Sequence, residues 1–126
     1  MLLNAQGQKN NLNKINFSID TCKICKNMDN RLDSAYFELD GGFEKDTVTI
    51  IINNKIESKG VFISSESLDH AGSMTVQKTK EMIVTIKING RFFQSFNFNK
   101  NYCSAHLNYY DKKLKLTFTN RIYEYD

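Results

Sequence analysis

The chain has 126 residues, of which 40% are hydrophobic and 25% are charged, and its formal net charge is +3. This composition excludes a fully disordered protein, and the length leaves room for a single domain. No apolar run approaches the roughly 20 residues that a membrane-spanning helix needs, so the sequence predicts a small globular domain without a membrane span.

The amino terminus contains a short apolar segment over residues 2–5, from Leu2 to Ala5. Such a segment, followed by a small residue, resembles the end of a bacterial signal peptide with cleavage after Ala5. The resemblance predicts export, to the periplasm or outside the cell; if residues 2–5 are not a signal remnant, the protein is cytoplasmic. Residues 1–14 are polar and rich in Asn, which predicts a disordered start before a single domain over residues 15–126.

Alternating apolar and polar residues predict strands, and the first two come early in the chain. Residues 14–20 place Ile15, Phe17 and Ile19 on one face of a strand, and a second strand covers residues 34–39. Both segments are rich in the β-branched and aromatic residues that strands favour.

Three hairpins are predicted downstream, and the buried face decides the register of each. Their spans and turns are 47–63 with Asn53-Asn54, 81–98 with Asn89-Gly90, and 105–119 with residues 110–113. In the third hairpin, a four-residue loop pairs Tyr109 with Leu114 and Leu107 with Leu116.

The aromatic residues after Gly90 decide the predicted register of the second hairpin. A three-residue loop over 88–90, with Gly90 left-handed in a bulge, gathers one apolar face. Its members are Met82, Val84, Ile86, Phe92, Phe96 and Phe98. This register leaves Phe93 on the exposed face, and the same loop length over 52–54 places Ile56 on the buried face of the first hairpin.

About eight or nine short, hairpin-connected strands predict an all-β fold. At most one helical turn is expected, over residues 65–72, and Gly72 ends it. We therefore expect an antiparallel β-sandwich of the immunoglobulin-like or jelly-roll-like kind. No run of residues suits a parallel sheet with helices, which argues against most nucleotide-binding folds.

Three cysteines and one histidine form the sharpest chemical pattern. Cys22 and Cys25 are separated by two residues, as are Cys103 and His106. Two such pairs are the usual way of delivering four ligands to one tetrahedral zinc ion, so these residues predict a structural zinc site. A site of this kind has no open coordination position and would not catalyse a reaction.

Two alternatives stay open for the cysteines. In an oxidising compartment, Cys103 forms a disulfide with Cys22 or Cys25, or Cys22 and Cys25 form a disulfide with each other. Each of these pairings leaves one thiol. Otherwise all three are free thiols. Strand alternation also counts against the zinc site, because Cys103 and His106 are three positions apart beside a predicted strand and would be directed to opposite faces.

Catalytic patterns are sparse. His70 follows Asp69, a pair able to tune a base, but a solvated histidine is the simpler interpretation in a turn rich in Ser and Gly. The chain has no Gly-x-Ser-x-Gly motif and no glycine-rich phosphate loop. The acidic residues of the loop over 40–46 offer oxygens to calcium without the EF-hand spacing. We therefore predict a protein that is not an enzyme and needs no cofactor, apart from the zinc alternative.

Basic and aromatic residues are interleaved between Lys78 and Arg121, where nine Lys and Arg stand against two acidic residues. This pattern is typical of proteins that bind single-stranded nucleic acid. However, the predicted register buries most of the rings, and a net charge of +3 is low for such a protein. The aromatic residues left exposed are candidate binding residues: Phe93, Tyr102, Tyr110, Tyr123 and Tyr125.

These features together predict a monomeric or weakly oligomeric binding module of an exported bacterial protein. Exposed aromatic rings are favoured at protein interfaces, so a protein partner is expected. One alternative is a carbohydrate-binding β-sandwich, since the same rings stack on glycans. Another is a zinc-stabilised β domain that contacts nucleic acid.

Overall fold

The computed structural model of the chain describes residues 12–20, 34–67, 69–99 and 101–120. These ranges contain ten strands and no helix. The strands are β1 (Ile15–Ile19), β2 (Ser34–Leu39), β3 (Glu44–Ile52), β4 (Lys55–Ile63), β5 (Gly72–Gln77), β6 (Ile83–Ile88), β7 (Arg91–Phe92), β8 (Phe96–Asn97), β9 (Ser104–Tyr110) and β10 (Lys113–Thr119). No helix with the length and apolarity to cross a membrane occurs in the described ranges.

The strands form two sheets. Sheet 1 has the order β1-β10-β9-β2-β5, and sheet 2 has the order β4-β3-β6-β7, with β8 also paired to β6. The expectation of an all-β fold is therefore confirmed. The sheets are not wholly antiparallel, because β1 runs parallel to β10 and β2 runs parallel to β9. Hairpins cannot produce parallel neighbours, so both pairs join segments that are distant in the sequence.

One hydrophobic core contains residues of both sheets. Phe37 of β2 meets Phe98 with ring centroids 5.6 Å apart, and Tyr109 of β9 meets Phe43 and Phe93 at 5.9 and 6.2 Å. The largest fully buried side chains are Phe37, Phe43, Phe93, Leu39, Ile50, Met82, Ile86, Ile88, Leu107, Leu114, Leu116 and Val48. Burial of these side chains is the main term that stabilises the fold.

All three predicted hairpins close with two-residue turns. Both turn residues have positive φ: Asn53 at 51° and Asn54 at 68°, Asn89 at 52° and Gly90 at 82°, Asp111 at 53° and Lys112 at 61°. Positive φ at both positions defines a type I′ turn, whose twist matches that of the flanking strands. The predicted three-residue loops and the four-residue loop over 110–113 are therefore wrong, whereas the predicted pairs of the third hairpin are confirmed by the β9–β10 register.

The second hairpin buries Phe93, whereas the predicted register buries Phe92 instead. Lys87 pairs with Phe92, and the N–H of Phe93 donates to the carbonyl of Ile86 at 3.0 Å. Phe93 is 1% exposed and Phe92 is 45% exposed, so the predicted exposure of Phe93 and burial of Phe92 are wrong. The physical reason is the two-residue turn, which directs Phe93 inward. A bulge follows, in which three steps from Phe93 to Phe96 oppose two steps on β6, and it returns the later aromatics to the buried face.

A similar shift explains Ile56 in the first hairpin. Ile51 pairs with Ile56, but the next residue of β3, Ile50, pairs with Ser58. The two-residue turn and this irregularity place Ile56 on the solvent side, where it is 60% exposed. Its predicted burial is therefore wrong.

Candidate functional site

The aromatic residues predicted to bind a partner occupy different environments. Phe93 belongs to the core, because the type I′ turn directs it inward. Tyr102 packs against the core, with its ring centroid 6.2 Å from that of Phe118. Tyr110 is 54% exposed. The other two, Tyr123 and Tyr125, lie outside the described residues. Because Phe93 is buried and Tyr110 is exposed, the three described candidates do not form one exposed surface.

The predicted zinc ligands are described in part. Cys103 is buried immediately before β9, and His106 is buried on β9. Cys22 and Cys25 lie outside the described residues. Within the described ranges, no group of three or more His, Cys, Asp or Glu side chains is placed to hold a metal ion. The zinc, disulfide and free-thiol interpretations therefore stay predictions.

A partly buried polar cluster, which we call the Asp40 cluster, lies where β2 ends; it comprises Asp40, His70, His106, Glu38 and Ser73. The parallel pairing of β2 with β9 sets Glu38 opposite His106. The N–H of Asp40 donates to the carbonyl of Leu107 at 2.8 Å, which continues this ladder one residue beyond β2. The carboxylate of Asp40 is thereby placed beside the imidazole of His106.

His70 reaches the Asp40 cluster from the turn between β4 and β5. Ser65 and His70 form an antiparallel bridge, with the Ser65 N–H donating to the His70 carbonyl at 2.9 Å. The N–H of Ala71 then donates to the carbonyl of Leu39 at 2.6 Å, which docks the turn onto the end of β2. The predicted helical turn is thus a tight bridged loop, and Gly72 begins β5 instead of ending a helix.

The carboxylate of Asp40 accepts hydrogen bonds from the imidazoles of both histidines in this cluster. Oδ2 of Asp40 lies 2.8 Å from Nδ1 of His106, and Oδ1 lies 3.1 Å from Nδ1 of His70. An ionised carboxylate only accepts, so each Nδ1 carries the hydrogen. Nε2 of His70 lies 3.9 Å from Oε2 of Glu38, which accepts a hydrogen bond from Ser73. The cluster therefore fixes the orientation of both imidazoles and joins three separate segments of backbone.

Sequence reasoning paired His70 with its neighbour Asp69, but the structure pairs His70 with Asp40. Asp69 instead accepts a hydrogen bond from the hydroxyl of Tyr110 at 3.2 Å. Partial desolvation and this hydrogen bond raise the pKa of Tyr110 above its ordinary value. The only sequence signal for the role of Asp40 was its position at the end of an alternating strand, since the β2–β9 pair has no local pattern.

The acidic loop over 40–46 is occupied by contacts within the protein. Asp46 accepts hydrogen bonds from the N–H of Glu44 at 2.8 Å and from Nδ2 of Asn89 at 2.7 Å. The carboxylate of Asp40 faces the two histidines. These contacts account for Asp40 and Asp46 without an ion.

A second feature is the solvent side of sheet 2, which we call the outer apolar face. The core side carries Val48, Ile50 and Ile52 of β3 in alternation with outward-facing residues. On the outward side, five large apolar side chains are 45–61% exposed: Ile56, Val61, Ile63, Ile83 and Phe92. Solvated strands usually present polar residues, so this face is unusually apolar for a surface in contact with water.

Two lysines lie within the outer apolar face. Lys59 of β4 and Lys87 of β6 flank Thr49 of β3 in one cross-strand row. Thr49 is 1% exposed. The ammonium of Lys87 lies 5.2 Å from the ring centroid of Phe92, a cation–π distance. The face therefore combines apolar side chains with positive charge.

No protein-family model matches the chain, and no curated protein matches its sequence. The class that fold and surface define is an all-β domain of two sheets, with a partly buried Asp40 cluster at one strand end and an outer face that is apolar and basic.

Proposed function

We propose that the protein is a binding module of an exported bacterial protein and contacts a protein partner through the outer apolar face. The observation that carries the proposal is the exposure, at 45–61%, of five large apolar side chains on one side of sheet 2. Each square ångström of apolar surface that a partner covers contributes about 25 cal/mol. A non-catalytic role is part of the proposal.

The charges on the face specify the partner further. Lys59 and Lys87 lie in the row through Thr49, among the exposed apolar residues. A complementary surface would have an apolar centre with carboxylates placed to meet these two ammonium groups. The partner is therefore a protein surface that is apolar and acidic.

The scaffold that presents the outer apolar face is, in our proposal, a β-sandwich of the immunoglobulin-like or jelly-roll-like kind. The shared core of the two sheets supports the sandwich, whereas the parallel pairs differ from the antiparallel sheets of immunoglobulin domains.

The test is chemical cross-linking in the native host followed by co-purification, with wild type compared with a Lys59→Glu/Lys87→Glu variant. We expect one specific protein to cross-link to wild type and to be lost from this variant. The matched control is Lys112→Glu/Lys113→Glu, which changes charge by the same amount in the β9–β10 hairpin of sheet 1. Equal recovery from both variants would contradict the proposal. A glycan-array signal without any cross-linked protein would favour the carbohydrate alternative.

A further inference from the structure

Among the residues that the structure describes, β1 lies at the edge of sheet 1, with β10 on one side. Successive residues of a strand turn their main-chain groups to opposite sides. The N–H of Asp20 donates to the carbonyl of Phe118 at 2.9 Å, so the even-numbered residues of this segment face β10. The odd-numbered Phe17 and Ile19 therefore direct their N–H and C=O groups towards the free edge.

Sheet 2 closes the amino-terminal end of this edge. Asn13 donates its N–H to the carbonyl of Phe92 at 3.1 Å and accepts from the N–H of Gln94 at 2.8 Å. The N–H of Ile15 donates to the side-chain Oε1 of Gln94 at 2.7 Å. The pairing stops there because β8 turns back to β6. In the part of the chain that the structure describes, the outward main-chain groups of the next two odd-numbered residues of β1 have no hydrogen-bond partner.

A groove of about 480 Å³ opens beside this free edge. Its floor is aromatic: the ring of Phe17 meets that of Phe96 at 5.1 Å, and Phe96 meets Phe118 at 6.2 Å. Phe17 is 39% exposed and Ile19 is 47% exposed. The remaining lining residues are Ser18, Asn97 and Asn99. The groove is thus an apolar opening between the edges of the two sheets.

We infer that the free edge of β1 docks an extended peptide segment of a partner protein, which extends sheet 1 by one strand. The main chain of the peptide would bond to the outward groups of Phe17 and Ile19. Every second side chain would rest on the aromatic floor between the sheets. The inference shares with the proposed function the assumption of a protein partner, but it uses a surface separate from the outer apolar face.

The free main-chain groups identify a strand as the occupant. A small apolar ligand would cover the N–H groups of Phe17 and Ile19 without pairing them, and a covered donor without an acceptor opposes binding. Another strand pairs these groups and buries apolar side chains in the same step. A second copy of the chain joined through β1 would give a dimer, which light scattering detects.

The test is selection of a phage-displayed library of random twelve-residue peptides on the immobilised full chain. We expect the enriched sequences to carry apolar residues at every second position. Fluorescence anisotropy with the synthetic peptides then gives dissociation constants. Phe17→Ser and Ile19→Ser should weaken binding at least tenfold, whereas Ile56→Ser and Ile63→Ser, changes at exposed apolar residues of the outer apolar face, should leave it within twofold.

Two N-methylated versions of the best peptide supply a readout that does not depend on variant folding. One version is methylated at the alternate amides that face β1, and the other at the amides that face away from it. Only methylation of the amides that face β1 should abolish binding. Equal affinity of the two versions would overturn the inference, as would failure to enrich any sequence or a dimer dispersed by Phe17→Ser. If these results are negative while Lys59→Glu/Lys87→Glu still loses the native partner, the proposed function stands and this inference fails.

Discussion

Oδ2 of Asp40 and Nδ1 of His106 lie 2.8 Å apart although 66 positions separate the two residues in the sequence. The contact exists because β2 and β9 are parallel neighbours. The second carboxylate oxygen of Asp40 meets His70 at 3.1 Å. A single side chain therefore connects the end of β2 to β9 and to the turn that precedes β5.

Replacement of the carboxylate by an amide should weaken these connections. Asp40→Asn leaves one acceptor oxygen and adds a donating NH2 group, so the N–H of either His70 or His106 loses its acceptor. We expect the free energy of unfolding to fall by about 1–3 kcal/mol. Urea denaturation followed by circular dichroism measures the change. Asp111→Asn, an exposed substitution in the β9–β10 turn, is the matched control, and equal midpoints for Asp40→Asn and wild type would refute the role given to the cluster.

Two glycines with positive φ separate backbone strain from steric clash. Gly42 has φ of 89°, and a Cβ there would lie 2.0 Å from the carbonyl oxygen of Tyr109. Gly90 has φ of 82° and would meet no atom within 4 Å. Gly90→Ala should cost about 1 kcal/mol for the left-handed backbone. Gly42→Ala should cost at least about 3 kcal/mol, since β9 must also move. Similar melting temperatures for the two variants would show that the loop does not pack on β9 in this way.

The adjacent residues Phe92 and Phe93 test the register of the second hairpin. Phe93 is fully buried, so Phe93→Ala should lower the free energy of unfolding by about 3–5 kcal/mol. Phe92→Ala removes a half-exposed ring and its contact with Lys87, and should cost less than about 1 kcal/mol. Thermal denaturation of both variants compares them directly. A larger loss of stability in Phe92→Ala than in Phe93→Ala would favour the predicted three-residue loop.

Lys112 occupies a turn position that suits glycine. Its φ of 61° is left-handed, which costs a lysine about 1 kcal/mol relative to glycine. Lys112→Gly should therefore raise the free energy of unfolding by about 0.5–1 kcal/mol, as measured by guanidinium denaturation. The neighbouring Lys113→Gly lies in β10 and should destabilise by a similar amount, because glycine weakens strands. If both substitutions raised the free energy of unfolding, or if neither did, the result would argue against the type I′ turn.

Tyr110 should ionise at a higher pH than an ordinary tyrosine. Partial desolvation and the hydrogen bond to Asp69 raise the pKa of its phenol above 10.0. The folded protein then keeps a proton that the unfolded chain has released, so this contribution to stability is complete below a pH of about 10 and is lost as the pH rises through the folded pKa. Absorbance at 295 nm, taken as the difference between wild type and Tyr110→Phe, reports the titration. Asp69→Asn should move the pKa back towards 10.0, and an unchanged titration in that variant would disprove the link.

Local patterns in the sequence are sufficient for one hairpin and for most of the strands, but they do not predict β5. The pairs of Tyr109 with Leu114 and of Leu107 with Leu116 follow from unbroken alternation on both strands. The other two hairpins contain irregularities, at which the inward-facing residues change from odd to even positions. The sequence prediction accounts for that change by a longer turn, but the structure places it within β4 and after Phe93. Alternation alone does not distinguish an extra residue in a loop from an extra residue in a strand.

Long-range pairing accounts for the part that sequence reasoning missed. The parallel pairs β1–β10 and β2–β9 leave no trace in the spacing of neighbouring residues. The Asp40 cluster depends on the second of these pairs, and the free edge of β1 depends on the first. Sequence analysis identified both histidines as notable, but their shared partner became visible only with the order of the strands.

The neighbours of β1 and β2 in sheet 1 also have a consequence for biosynthesis. Both strands precede their parallel partners β10 and β9 in the chain and therefore leave the ribosome before them. Until β9 has been made, the apolar residues of β2 have no sheet to join on that side, and a long loop must close before the strands pair. Sheet 1 therefore completes only after β10 has been synthesised, and during that interval the nascent chain exposes unpaired strands, which are prone to aggregation.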